Sequence, residues 1–286
     1  MKTRVFCGLF LGAMASSVFG AETASYFLYE LGRLSVYMLV ENQGQGRPGI
    51  LIGASQAVLD RYMPGGAYTS ETNTFLIKGN GKTVVIDTGF GGALFDSMKK
   101  LGVDPAQVDA VLLTHMHGDH IGGMQRDGKP LFPNARVYLA QEERDYWTRT
   151  AINQGAVAAL AAYGSQVETF RSGKLGAKLQ ELLPGISPVA AFGHTPGHTA
   201  FLLESAGKRL LIWGDLMHAQ AVQFPAPDIS VTYDTDPKAA AEVRKRILAW
   251  AAENKVPIGG MHLVFPAVGT VRAEGSGYRF VPEAVQ

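Results

Sequence analysis

Residues 115–120 read His115-Met116-His117-Gly118-Asp119-His120, so three imidazoles and a carboxylate fall within six positions. The chain of 286 residues holds only seven histidines. On composition alone such a cluster arises on the order of 10⁻⁴ times per chain. The preceding segment, Val108 to Thr114, is a short apolar run that reads as a buried strand. Loops at strand ends commonly carry function. Gly118 and the pair Gly122-Gly123 let the backbone turn closely, so that neighbouring side chains can face different ions. Histidine and carboxylate are good zinc ligands, and three or four of them make a site with an open position.

Outward from this motif, three further candidates each follow a strand-like segment. His198 lies in Gly193-His194-Thr195-Pro196-Gly197-His198-Thr199, Asp215 follows Arg209 to Gly214, and His262 follows Pro257 to Met261. Strand ends converging on one sheet edge would gather His115, His117, Asp119, His120, His198, Asp215 and His262 together. His194 precedes a Thr-Pro-Gly turn and reads as an organiser of that loop. Asp87 closes a strand in Asp87-Thr88-Gly89 and reads as the support behind a ligand histidine.

Apolar spacing predicts an edge strand over Tyr26 to Val40 and a loop over Glu41 to Gly49. A hairpin follows, Thr72 to Lys78 and Lys82 to Asp87, turned by Gly79-Asn80-Gly81. Helices are expected over Leu94 to Leu101, Gln141 to Ile152, Ala156 to Tyr163 and Pro237 to Asn254, and a Gly/Pro-rich tail after Met261. Strands and helices alternate without a linker, which gives one α/β domain.

The 26 basic and 25 acidic residues leave no surplus suited to nucleic acid. No stretch reaches the roughly 18 apolar residues of a spanning helix. Lys2 and Arg4 precede an apolar run from Val5 to Phe19, with Val18 and Gly20 at the −3 and −1 positions before Ala21. That layout reads as a signal peptide over 1–20, leaving an exported domain over 21–286 in the periplasm or beyond. Cys7, the single cysteine, leaves with it. Any metal site must then use histidine, carboxylate and water.

These residues resemble the metallo-β-lactamase superfamily, whose pattern is HxHxDH followed by a histidine, an aspartate and a histidine. The resemblance runs from the Asp87-Thr88-Gly89 turn to His262. It implies an α/β fold of the αββα sandwich type with the metals at its edge. It implies that one ion takes His115, His117 and His198, that a second takes Asp119, His120 and His262, and that Asp215 bridges both. Two divalent ions, zinc first among them, are the implied cofactors. Leu131 to Ala135, His194 to Thr199, Ala221 to Phe224 and Arg272 to Phe280 are similar to the exported methyl parathion hydrolase group. That group includes relatives that open aromatic lactones such as dihydrocoumarin.

The implied chemistry is hydrolysis of esters, lactones or phosphotriesters. Two ions about 3.5–4 Å apart can share a water and bring its pKa from about 15.7 to near 7. Asp119 and Asp215 would orient that nucleophile, and Asp119 would pass a proton to the leaving group. Trp147 matches a pocket tryptophan of the group and, with Tyr233, is expected to wall a flat substrate. His218 stands where parathion-degrading members look apolar, which moves the expected substrate towards a lactone or aryl ester. The sequence therefore predicts a small-molecule lactonase or arylesterase with weak phosphotriesterase activity, a homodimer being left open. A dedicated organophosphate hydrolase is the nearest alternative. A β-lactamase fits less well, because those members do not fill the bridging position with aspartate. A metal-binding protein without turnover is the remaining class.

Overall fold

Side chains along Phe75-Leu76-Ile77 and Val84-Val85-Ile86 alternate between two cores, and this alternation sets the layers. Phe75, Ile77, Val84 and Ile86 share one buried cluster with Phe201, Leu203, Leu210 and Ile212. Leu76 and Val85 point the other way, into a cluster with Leu94, Met98 and Leu160. A one-residue slip would exchange the two faces, so the register is strongly specified. Each fully buried side chain of this size contributes about 1.5–3 kcal/mol relative to exposure.

The computed structural model describes residues 26–285; the segment read as a signal peptide lies outside the described residues. A hairpin opens the fold, β1 (Tyr26–Leu31) and β2 (Leu34–Gly46). A short β3 (Leu51–Ile52) and α1 (Gln56–Tyr62) lead to a second hairpin, β4 (Tyr68–Gly79) and β5 (Lys82–Ile86). Next come α2 (Ala93–Lys100), β6 (Ala110–Leu112), the single turn α3 (Gly118–Ile121), and the ribbon β7 (Gln125–Arg126) and β8 (Lys129–Pro130). Then follow β9 (Arg136–Ala140), α4 (Gln141–Asp145), α5 (Gln154–Tyr163) and β10 (Val167–Phe170). The second half holds β11 (Ile186–Ala190), β12 (Thr199–Ser205), β13 (Lys208–Ile212), α6 (Gln220–Gln223) and β14 (Ser230–Val231). It ends with α7 (Pro237–Asn254), β15 (Ile258–Gly259), β16 (Val268–Glu274) and β17 (Gly277–Pro282).

The strands form a seven-stranded sheet, β1-β2-β4-β5-β6-β9-β10, and a six-stranded sheet, β11-β12-β13-β15-β16-β17. Both are mixed: β5 and β6 run parallel, as do β13 and β15. With helices flanking the paired sheets, this is the expected αββα sandwich. Helix α7 shows why its sequence is helical: Asp236 caps it by accepting from Ala239 N, and Pro237 sits in its first turn. Its stripe Ala240, Val243, Ile247, Leu248 and Ala251 is buried. Among the described residues no helix is long and apolar enough to cross a membrane.

Three expectations are corrected. Strand β2 continues to Gly46 where a loop was predicted, after a register shift between Val40 and Asn42. Its far end, Glu-Asn-Gln-Gly-Gln-Gly, is largely exposed, so no buried face imposes an apolar alternation there. The predicted tail instead pairs as the β16–β17 hairpin. The helix over Gln141 to Ile152 stops at Asp145 and relaxes into a π turn over Tyr146–Thr150.

Candidate metal centre

The ends of four strands bring the site together. Asp87 follows β5, His115 follows β6 after Leu113 and Thr114, Asp215 follows β13, and His262 lies just past β15. Gly214 makes the approach of Asp215 feasible. Its φ is +61°, and a Cβ there would lie 2.5 Å from His198 Nε2 and 2.9 Å from Thr114 Cβ.

Hydrogen bonds fix how the imidazoles face. Thr114 Oγ1 donates to Asp87 Oδ2 at 2.6 Å and therefore accepts from His115 Nδ1 at 3.0 Å. His120 Nδ1 donates to Asp87 Oδ2 at 2.7 Å, His194 Nδ1 to Asp234 Oδ1 at 2.8 Å, and His262 Nδ1 to the Glu71 carbonyl at 2.6 Å. With Nδ1 committed to these partners, each of these four rings turns its Nε2 inward, where a lone pair is offered once the ring is neutral. His117 presents Nδ1, 3.0 Å from both His115 Nε2 and His194 Nε2. Asp215 stands in the middle. Its Oδ2 lies 3.6 Å from His115 Nε2, 3.4 Å from His194 Nε2 and 3.1 Å from His262 Nε2, and its Oδ1 3.2 Å from His120 Nε2.

Donor atoms of His115, His117, His194 and Asp215 lie within 4.8 Å of one another, and so do those of Asp119, His120, His262 and Asp215. Ligands about 2.0–2.1 Å from a tetrahedral zinc stand about 3.3 Å apart, which is the spacing seen here. His120 Nε2 and Asp215 Oδ1 are buried and have no hydrogen-bond partner. Convergent lone pairs and orphaned acceptors of this kind suit cations, and the set has room for two.

The structure corrects the ligand set at one position. His198, expected in the cluster, commits both ring nitrogens elsewhere: Nδ1 donates to the Ala191 carbonyl at 2.8 Å, and Nε2 accepts from Asp215 N at 3.0 Å. It holds the Asp215 backbone, while His194, read as a loop organiser, enters the cluster instead. Trp147 is corrected too. Its ring meets His117 edge-on at 5.4 Å and its indole N–H donates to Glu143, and it is not among the residues lining the cleft. Asp87 is fully buried, accepts from His120 Nδ1 directly and reaches His115 through Thr114 Oγ1.

The cleft above the cluster has a volume of about 600 Å³. Asp119, Asp215 and His262 line its floor, and Tyr68, Phe90 and Tyr233 contribute aromatic wall. His218 also lines it, with Nε2 3.2 Å from Asp215 Oδ2 and its ring stacked on His262 at 4.7 Å. Its Nδ1 is buried and has no partner.

Sequence reasoning missed three buried polar supports. Asp234 orients His194 and also accepts from Val231 N. Arg244, 1% exposed on α7, donates to the carbonyls of Leu216, Pro227 and Ile229. Glu143 sits in the run Gln-Glu-Glu-Arg-Asp, which reads as a solvated helix face, yet it is 1% exposed. No pattern in the sequence separates it from Glu142.

Burial lowers the pKa of His117 and His198 to about 3 and that of His218 to about 4, which keeps these rings neutral. Burial also lowers His194, but its hydrogen bonds to Asp215 and Asp234 outweigh it and raise the pKa to about 9. His120 is raised in the same way by Asp215, Asp119 and Asp87. In the metal-free chain, protons on these rings occupy the role a cation would take.

Donor atoms in such number beneath a cleft of small-molecule size place the chain in the class of metal-dependent hydrolases. It belongs to the metallo-beta-lactamase superfamily, whose profile matches residues 67–252. The fold is similar to AidC, a dizinc quorum-quenching lactonase, with a TM-score of 0.83 and 25% identity over 92% of this chain and 98% of that one. It is also similar to the hydrolase AbOPH, with a TM-score of 0.81 and 28% identity over 93% and 100%. Among curated relatives, the anti-Pycsar protein Apyc1 of Saccharibacillus brassicae is 35% identical over 78 residues, 27% of this chain and 28% of that protein. An atrochrysone carboxyl ACP thioesterase of Passalora fulva is 31% identical over 162 residues, 53% of this chain and 40% of that protein. The chain thus spans less than half the length of either.

Proposed function

We propose that the protein is an exported, dinuclear-metal hydrolase of lactones or aryl esters, with phosphotriesters as secondary substrates. The observation that carries this reading is the pair of four-donor groups sharing Asp215. His115, His117, His194 and Asp215 would hold one ion, and Asp119, His120, His262 and Asp215 the other. When bound, two such ions supply Lewis acidity and a water of lowered pKa.

The chain's own residues do the rest. Asp215 fixes the distance between the two donor groups, and His198 and Gly214 hold its backbone in place. Asp119, with its side chain 25% exposed at the cleft floor, orients the attacking water and returns a proton to the leaving oxygen. The neutral His218 ring lines the cleft, and with Asp215 committed to the ions its Nε2–H would be free to donate to a substrate carbonyl or ring oxygen. Similarity to a dizinc lactonase supports lactones as substrates, and similarity to the hydrolase AbOPH supports hydrolysis. Export rests on the sequence of residues 1–20, and N-terminal sequencing of the secreted chain should begin at Ala21.

Purified, zinc-loaded protein should be assayed on dihydrocoumarin, long-chain acyl-homoserine lactones, nitrophenyl esters, methyl parathion and nitrocefin. Lactones or aryl esters should show the highest kcat/KM. Methyl parathion in first place would establish a dedicated organophosphate hydrolase instead, and nitrocefin in first place a β-lactamase.

A further inference from the structure

One carboxylate joins the two loops that carry the three-histidine group. Glu143 Oε1 accepts from Met116 N at 2.9 Å and from Trp147 Nε1 at 2.5 Å. Its Oε2 accepts from Thr195 Oγ1 at 2.6 Å and from Gly197 N at 3.0 Å. Met116 lies between His115 and His117, and Thr195 follows His194. Three of the four partners are N–H groups, which can only donate, so the carboxyl oxygens are the acceptors that tie these loops together. Burial raises the Glu143 pKa, and the four hydrogen bonds oppose that shift by favouring the anion.

The contact is built closely. A Cβ on Gly197 would lie 2.2 Å from Glu143 N, so only glycine permits the loop to come this near. The other donor group has separate supports: Asp87 beneath His120 and the Glu71 carbonyl beneath His262. Glu143 is hydrogen-bonded to neither Asp119, His120 nor His262 among the described residues.

We propose that Glu143 is a positioning residue that sets the spacing of His115, His117 and His194 as one unit, and so tunes that metal site without tuning its neighbour. The proposal rests on the dinuclear reading above. Loss of a partner behind a ligand typically costs 10–100-fold in metal affinity. A structural role in the fold at large would weaken both ions together, whereas this one is selective.

Metal-free wild-type protein and Glu143→Gln should be titrated with Co²⁺, following both binding steps and the ligand-field spectrum. The amide keeps the shape but, in either orientation, turns its NH₂ towards at least one N–H that can only donate. One of the two equivalents should weaken tenfold or more and change its spectrum, while the other stays within about twofold. Thr195→Val removes a single bond of the four and leaves the fold intact; it should weaken the same equivalent by a smaller factor. Equal weakening of both equivalents, or of neither, in both variants overturns the role of Glu143. A wild-type chain that takes only one Co²⁺ overturns the dinuclear reading, and this proposal with it.

Discussion

His218 is the residue on which substrate preference turns. Its ring stacks on His262, its Nε2 approaches Asp215, and its Nδ1 is buried without a partner beside the cleft. Once the ions take up the Asp215 carboxylate, a lactone carbonyl can accept from the Nε2–H in its place. The bulkier, less polar phosphorus centre of methyl parathion would leave it desolvated and unpaired. His218→Leu should therefore shift the ratio of kcat/KM for dihydrocoumarin over methyl parathion downward by about tenfold, or about 1.4 kcal/mol of differential transition-state binding. Metal content should stay unchanged. If both rates move together, the ring does not select substrate. At this scale the sequence was informative about residue types and less so about direction. The HxHxDH motif, Asp215 and His262 could be read because few other arrangements explain so many ligands after strand ends. His194 and His198 are four residues apart in one loop, and spacing cannot say which ring faces the cluster. That depends on Ala191 and the Asp215 backbone, which capture His198.

At the scale of elements, α7 does more than cover the second sheet. Arg244 reaches from its buried face to the carbonyls of Leu216, Pro227 and Ile229, and lies 3.8 Å from Asp234, the residue that orients His194. One helix thereby braces the segment after Asp215 and the loop behind His194. Arg244→Met should destabilise the metal-free protein by about 3–5 kcal/mol, the usual cost of leaving a buried ionic partner uncompensated. Urea unfolding measures this, and a loss below about 1 kcal/mol would show that water replaces the guanidinium without penalty. The helix itself was legible from Pro237 at its first turn and its mixed charged face. Arg244 was not, because an arginine in a charged helix reads as solvated until its neighbours are known. The far end of β2 and the β16–β17 hairpin were missed for a related reason. The end of β2 is set by partners across the sheet rather than by an apolar face of its own, and the apolar face of β16 and β17 is confined to Val268, Val271, Tyr278 and Phe280 among glycines and charged residues.

For the whole molecule, charge and stability are coupled through the cluster. His194 in the metal-free fold titrates near 9, above its unfolded value of about 6.5. Its stabilising contribution is complete below pH 6.5 and is lost as the pH rises towards 9. His117 and His198 titrate near 3, so theirs is complete above pH 6.5 and is lost as the pH falls. The metal-free protein should be most stable near pH 6.5. Zinc displaces the inward-facing proton, so the zinc-loaded protein should not show the alkaline loss. Urea midpoints from pH 6 to 9 test this, and parallel curves for the two forms would contradict it.

The central claim is that Asp215 joins two metal sites. Elemental analysis of zinc-loaded wild-type protein and of Asp215→Ala, each paired with its kcat, tests it most directly. Wild type should hold close to two zinc ions per chain. The variant should lose metal and at least about a hundredfold in turnover, the scale at which changes around a metal act. A fully active wild type with one zinc, or an Asp215→Ala variant with two zincs and ordinary turnover, would contradict the account.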